Sequence, residues 1–301
     1  MLGYPGRKQK WDGRVMLNLG LPEVRDYLIG IINSLIEEYG VSYFKMDMNR
    51  SVIQEFYSVG QPADQQQTWA VRYAQNLCEI YRAVKKKHPE VLIENCASGG
   101  RRVDFAMAEF SGRINRSDNQ DPVDELKLHE GFSMFMLPKF AGGATHIGKQ
   151  RPDYFTGRAA PIRYRAIAGM LGSPAVGAIA DCTEEELKEI AGYVALYKEI
   201  RPVVNLGDYH CLASAYEKPY AAFEYVLRDG SEAVLFLLGK MMDYTRQVEE
   251  PLCLRGLQPD AFYDIEGMGV FSGAVLMRLG LFLPLHGDYD AKLLRIHQIK
   301  G

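Results

Sequence analysis

The segment Tyr43-Phe44-Lys45-Met46-Asp47-Met48-Asn49-Arg50 sets a cation, a carboxylate and an amide at alternate positions. Alternate side chains of an extended strand leave one face, so Lys45, Asp47 and Asn49 project together. Parallel β/α folds present their chemistry at the C-terminal ends of strands, and a strand that closes on a polar trio fits that placement. A carboxylate there serves as nucleophile or as general acid/base. Its plainer role is to cap the next helix. A second stretch, Arg113-Ile114-Asn115-Arg116-Ser117-Asp118-Asn119-Gln120-Asp121-Pro122, is again a short strand breaking into a polar turn. Asp118 is the second candidate carboxylate, although this run is also ordinary turn and N-cap chemistry ahead of a helix at Val123 to Leu128.

Between them lies Ile93-Glu94-Asn95-Cys96-Ala97-Ser98-Gly99-Gly100-Arg101-Arg102. The glycine pair permits close backbone approach to a ligand, or simply a tight turn. It is no dinucleotide or phosphate-loop fingerprint, since neither Gly-x-Gly-x-x-Gly nor Gly-Lys-Ser/Thr occurs. Cys96 reads as a buried small hydrophobe or a pocket wall rather than a nucleophile, because the nearest histidines, His88 and His129, fall on helical segments. The six histidines do not cluster and no His-Glu-x-x-His spacing is present, so no metal site and no cofactor are expected. His146, flanked by glycines at a strand end, reads as pocket-lining or as a hydrogen-bonded structural histidine.

The elements that must hold these groups alternate from residue 14 to about 200. Six strand-like runs, at Val15–Leu19, Val41–Met46, Val91–Glu94, Arg113–Asn115, Phe140–Thr145 and Ala175–Ala180, are separated by segments of helical period. That alternation marks β/α units on a parallel sheet. Val24, Tyr27, Leu28, Ile31, Ile32, Leu35 and Ile36 recur at helical spacing behind Pro22 and predict a helix with one apolar face on the sheet. Thr183-Glu184-Glu185-Glu186 forms a capping box for a helix running to about Ile200, before Pro202. Beyond Leu206 short strands with turn signals follow, with Arg228-Asp229-Gly230-Ser231 between two apolar runs as a hairpin. The expected organisation is a (β/α)8-type barrel over residues 1–206, incomplete at its N-terminus by strand count, and a small antiparallel β-sandwich domain over 207–301.

With 47% hydrophobic and 24% charged residues the chain is ordinary globular material, and a formal charge of -3 lacks the positive field of a nucleic-acid binder. Five cysteines without paired spacing favour a reducing compartment, hence a cytoplasmic location. No signal-like start and no long apolar run point to export or to a membrane. The run Lys85-Lys86-Lys87-His88 reads as a solvated helix end.

Taken together, Lys45-Met46-Asp47-Met48-Asn49-Arg50, Cys96-Ala97-Ser98-Gly99-Gly100 and Ser117-Asp118-Asn119 resemble, in order and spacing, the motifs of glycoside hydrolase family 36 α-galactosidases. Pro22-Glu23-Val24, Tyr197-Lys198-Glu199 and Leu285-His286-Gly287-Asp288-Tyr289-Asp290 extend the resemblance over most of residues 14 to 301. It implies a retaining hydrolase of α-D-galactosides with Asp47 as nucleophile and Asp118 as acid/base, their carboxyl groups ~5 Å apart and their pKa values pushed apart. It further implies that Lys45 holds Asp47 ionised, that Lys45 and Asn49 bond sugar hydroxyls, and that Cys96 and Gly99 line the pocket. A family arginine in a Gly-Arg-x-Gln context falls on Arg7, with a longer spacing to Asp47 than usual. Met46, Arg101 and Asn115-Arg116 depart from the family pattern and are expected to alter pocket walls. The family's N-terminal β domain and first barrel strands have no counterpart in the sequence, and unpaired edges favour homo-oligomerisation. Competing expectations are action on a related sugar such as an α-N-acetylgalactosaminide, or a non-catalytic remnant that binds sugar or a partner chain.

Overall fold

The computed structural model describes residues 14–49, 61–241 and 250–299, and divides into two compact units, Met1–Asn115 and Arg116–Gly301. In the first, α1 (Pro22–Tyr39), β1 (Tyr43–Met46), α2 (Trp69–Lys87), β2 (Leu92–Asn95), α3 (Phe105–Phe110) and β3 (Arg113–Asn115) follow one another. The strands run parallel, with Lys45 opposite Glu94 and Glu94 opposite Arg113. Pro22 opens α1 without losing a hydrogen bond, and Gly40, at φ 67°, closes it with its N–H on Ile36. Val24, Leu28 and Ile32 pack against Ile80, Tyr81 and Ile93. The apolar stripe is wider than its cover, however: Ile31 and Leu35 are exposed, so the expected single packed face is only half realised. Val15 to Asn18 alternates exposed and buried side chains as a strand would, yet the run to Leu19 joins no ladder, and among the described residues five parallel strands form instead of six. The basic run ends α2, where Lys85 Nζ donates to the carbonyls of Pro89 and Val91.

The second unit begins with α4 (Asp124–Ser133), β4 (Ala141–Ile147), α5 (Ile162–Gly169), β5 (Ser173–Val176) and α6 (Glu184–Leu206), with β4 and β5 parallel. Both capping-box bonds form: Glu186 N–H donates to Thr183 Oγ1 and Thr183 N–H to Glu186 Oε2. The helix does not stop before Pro202 but runs through it, because burial of Ile200, Val203 and Val204 outweighs the one backbone bond that proline forfeits. There follow β6 (Asp208–Ala213), β7 (Tyr220–Val226), β8 (Glu232–Gly239), β9 (Phe262–Ile265), β10 (Gly269–Ser272), α7 (Gly273–Arg278) and β11 (Ala291–Gln298). They form an antiparallel sheet in the order β10-β9-β11-β8-β7-β6.

The Asp229-Gly230 hairpin joins β7 to β8, with Gly230 at φ 70°. Every residue of β7 is buried, because both faces of the sheet are covered. Phe223 and Phe236 meet Ile200 and Val204 of α6 on one side, while Leu235 and Leu237 meet Leu254, Leu276 and Leu283 on the other. The apolar run from Val270 to Met277 is not one strand: β10 ends at Ser272, whose hydroxyl accepts from Val275 N–H and starts α7. No helix among the described residues is long and apolar enough to cross a membrane.

Candidate active site

Asp47 follows the last ladder residue of β1, and the loop after β2 closes over it. Met46 C=O accepts from Cys96 N–H at 3.0 Å, which fixes the second strand end beside the first. The chain then turns through Ser98 at φ 47° and Gly99 at φ 83°, with Ala97 N–H on the Gly99 carbonyl. In this geometry Ser98 N–H donates to Asp47 Oδ1 at 3.2 Å, and Asn49 Nδ2 donates to Asp47 Oδ2 at 3.0 Å. Ser98 Oγ in turn donates to Asn49 Oδ1 at 3.1 Å, tying the two loops together.

Partial burial alone raises the pKa of Asp47, but the donors from Ser98, Cys96, Asn49 and the Met48 backbone prevail and leave it below the ordinary carboxylate value. The Cys96 thiol is pushed the other way by burial and stays protonated, a hydrogen-bond donor to Asp47 rather than a nucleophile. Cys96 Sγ also accepts from Asn115 Nδ2 at 3.3 Å. Asp47, Asn49, Cys96 and the Ser98-Gly99 turn therefore form one cluster, of which Asp47 and Asn49 border a cavity of about 550 Å³ whose other walls include Arg14, Met16 and Tyr73.

Lys45 departs from expectation. Its ammonium lies 3.3 Å from Glu94 Oε1, the residue opposite it across β1 and β2, and hydrogen bonds take the role at Asp47 that its charge was expected to fill. Glu94 is 6% exposed, accepts a short hydrogen bond from Tyr43 OH, and has Arg113 Nε at 3.5 Å. Burial and that bond push the Tyr43 hydroxyl up to about 12. Arg7 lies outside the described residues. An arginine that sequence reasoning passed over, Arg14, donates to the Asn49 carbonyl at 2.9 Å, and its signal was a second Gly-Arg pair, Gly13-Arg14.

Asp118 belongs to the second unit. The polar run around it builds its own scaffold through successive side-chain turns: Asn119 N–H donates to Ser117 Oγ, Asp121 N–H to Asn119 Oδ1, and Val123 and Asp124 N–H to Asp121 Oδ1. Asp121, not Asp118, thus serves the start of α4, which leaves Asp118 to a cavity of about 430 Å³ lined also by Gln120, Arg151, Tyr154, Phe155 and Arg165. His146 packs its ring on Gly177, where a Cβ would stand 2.5 Å from Nδ1.

Arg116 is no pocket wall. It is 7% exposed and turns inward, donating to the Gly142 carbonyl at 3.2 Å and His129 Nδ1 at 2.8 Å and pairing with Glu125. Arginine only donates, so Nδ1 is the acceptor and Nε2–H donates to Tyr225 OH, which donates onward to the Leu171 carbonyl. Burial, reinforced by the Arg116 charge, holds the His129 pKa well below its ordinary value and the ring neutral. No group of three or more acidic, histidine or cysteine side chains among the described residues is placed to hold a metal ion.

Two family models match the chain, Melibiase over residues 4–207 and the glycosyl hydrolase family 36 C-terminal domain over 220–296. Probable alpha-galactosidase C of Aspergillus flavus is 32% identical over 294 residues, 96% of this chain and 37% of that protein. Alpha-galactosidase AgaA of Geobacillus stearothermophilus is 31% identical over 303 residues, 99% of this chain and 41% of that protein. A crystal structure of an AgaA variant in complex with raffinose superposes with a TM-score of 0.91 at 29% identity, over 99% of this chain and 41% of the other. The chain thus spans about two fifths of the length of the relatives it matches. Its fold is that of part of a (β/α)8 barrel followed by a C-terminal antiparallel β domain.

Proposed function

The chain belongs to the melibiase family of glycoside hydrolase family 36, and on that premise we propose that it releases terminal galactose from α-galactosides with retention at the anomeric carbon. Asp47 is the nucleophile and Asp118 the general acid/base. The observation that carries the first role is the donor set on Asp47: a backbone N–H, an amide and a thiol hold the carboxylate ionised and aimed, as an attacking oxygen must be.

In the first step an Asp47 oxygen bonds the anomeric carbon, the glycosidic C–O bond breaks, and the Asp118 proton moves to the departing oxygen. In the second, water gives its proton to Asp118, its oxygen bonds the anomeric carbon, and the Asp47 ester bond breaks. Retention requires the two carboxyl groups ~5 Å apart across the scissile bond. Asn49 and Lys45 donate to sugar hydroxyls, and Cys96 and Gly99 wall the galactose. The raffinose bound to the related AgaA variant supports oligosaccharides of the raffinose and melibiose type as substrates. Five free thiols support a reducing, cytoplasmic setting.

Proton NMR of the first product tests the reading. α-Galactose appearing before mutarotation agrees with it. β-Galactose appearing first overturns the retaining step, and the absence of any hydrolysis by folded chain overturns the activity.

A further inference from the structure

Arg116 opens the second unit, two residues before Asp118. Each nitrogen of its guanidinium is bound: Nε donates to the Gly142 carbonyl at 3.2 Å, Nη1 to His129 Nδ1 at 2.8 Å, and Nη2 to Glu125. Gly142 lies on β4, while Glu125 and His129 stand one turn apart on α4, so a single side chain ties the segment leading to Asp118 to a strand and a helix at once. Phe132, on the same face of α4, sets its ring 5.9 Å from the guanidinium carbon. The chain of bonds continues inward. His129 Nε2–H donates to Tyr225 OH at 2.7 Å, and Tyr225 OH donates to the Leu171 carbonyl at 2.5 Å. Tyr225 belongs to β7, so this buried chain runs from the Asp118 segment to the antiparallel sheet.

On its other side the same segment is held by Asp121, which accepts from the Val123 and Asp124 N–H groups, and by Asn119, whose amide donates to Asp124 Oδ2 at 2.8 Å. Asp118 is therefore carried by a short span anchored to α4 at both ends. A buried arginine and carboxylate give up their hydration, and apolar residues of the same volume stabilise a fold as well or better, so stability alone does not call for this network. What a guanidinium adds is direction: its donors form a rigid planar fork, and acceptors on three sides leave it one place to lie. A backbone so fixed carries its neighbours with it, and in acid catalysis a displacement of about 1 Å is costly.

We propose that Arg116 is a positioning residue for proton transfer: together with Glu125, His129 and Tyr225 it fixes the backbone from which Asp118 reaches the leaving oxygen, so that the antiparallel sheet takes part in placing the acid. The inference rests on the role of Asp118 given above. Arg116 acts through the chain it holds, and the chemistry stays with the carboxylates.

Leaving-group dependence separates positioning from plain support of the fold. Fluoride departs from α-galactosyl fluoride without a proton, whereas methanol departs from methyl α-galactoside only with one. In Arg116→Lys, which keeps a cation beside Glu125 but cannot reach three acceptors, kcat/KM for the methyl galactoside is expected to fall roughly 10- to 100-fold, and that for the fluoride to stay within about twofold of wild type. Tyr225→Phe removes one hydroxyl from the far end of the network, is the milder change for the fold, and is expected to show the same selectivity at smaller amplitude. His129→Gln, whose amide oxygen accepts from Arg116 and whose NH2 donates to Tyr225, is expected to keep the wild-type ratio of the two substrates. Where Arg116→Lys does not fold, Tyr225→Phe decides. Equal losses on both substrates in folded variants, or no loss on either, overturn the proposal and leave the role of Asp118 standing. A wild-type ratio in Asp118→Ala overturns that role, and this inference with it.

Discussion

Ser98 N–H reaches Asp47 Oδ1 at 3.2 Å from a backbone held at φ 47°, a left-handed conformation that a residue other than glycine rarely adopts. The bond and the strain are one feature, since in this loop the left-handed turn at Ser98 and Gly99 aims the amide at the carboxylate. Strain kept at such a point is the ordinary mark of a site whose geometry matters more than its local stability.

Gly99→Ala places a Cβ at φ 83° and should cost roughly 1–2 kcal/mol of stability while displacing the Ser98 amide. Asp47 is held below its ordinary value of 3.8, so activity that needs its carboxylate is lost only as pH falls through that lowered value. With a donor gone the pKa rises, and the acidic limb of kcat/KM moves to higher pH in the variant. An unchanged limb would show that the amide does not set the charge of Asp47.

Glu94→Gln keeps a partner for the Tyr43 hydroxyl but strands Lys45 and Arg113 beside a neutral group. A loss of about 1–3 kcal/mol in chemical denaturation is expected. Lys45, no longer held, should also raise KM for galactosides more than it lowers kcat. A pure stability loss with intact KM would assign Glu94 to packing alone.

Asp121→Asn breaks a fully buried carboxylate away from Arg158 and the Thr156 hydroxyl, a change expected to cost about 3–5 kcal/mol at neutral pH. Burial raises the pKa of Asp121, but Arg158 and the other donors outweigh it and hold the group low. Its stabilisation is therefore present above the unfolded-state value and lost as pH falls through the folded one. The gap between wild type and variant, measured by urea denaturation, should close on acidification.

Glu224 behaves in the opposite sense. It sits in β7 with no exposed surface and one oxygen on the Arg255 N–H, and burial pushes its pKa up to about 8. Below the unfolded value of 4.5 both states carry the proton; between 4.5 and about 8 the unfolded chain gives it up first, so stability declines with rising pH. Glu224→Gln should flatten that decline and be the more stable form at pH 9. Parallel stability curves for the two proteins over that interval would contradict the assignment.

Much of the fold could be read locally. The helical recurrence from Val24 to Ile36, bounded by Pro22 and Gly40, needs only its own residues to declare itself, as do the Thr183–Glu186 box and the Asp229-Gly230 turn. The pairing of Asp47 with Asn49 was legible as well, through the alternation of polar groups at a strand end, whereas Cys96 beside them was expected only from the family resemblance. What stayed hidden depends on register and depth. Lys45 turns to Glu94 because parallel pairing sets them opposite, and Arg116 turns inward to a buried glutamate and histidine. Val15–Leu19 has strand chemistry but no ladder partner, and β7 is buried along its whole length because its sheet is covered on both faces. None of these outcomes is a property of the segment alone.

The central claim is that Asp47 attacks the sugar, and one measurement addresses it most directly: nitrophenol release from an aryl α-galactoside by wild type and by Asp47→Ala, with and without azide. The account predicts turnover in the wild type, its loss in the variant, and partial recovery when azide fills the space of the missing carboxylate and yields a galactosyl azide. Full activity in Asp47→Ala, or loss that azide never restores while Asp118→Ala is rescued in its place, would contradict it.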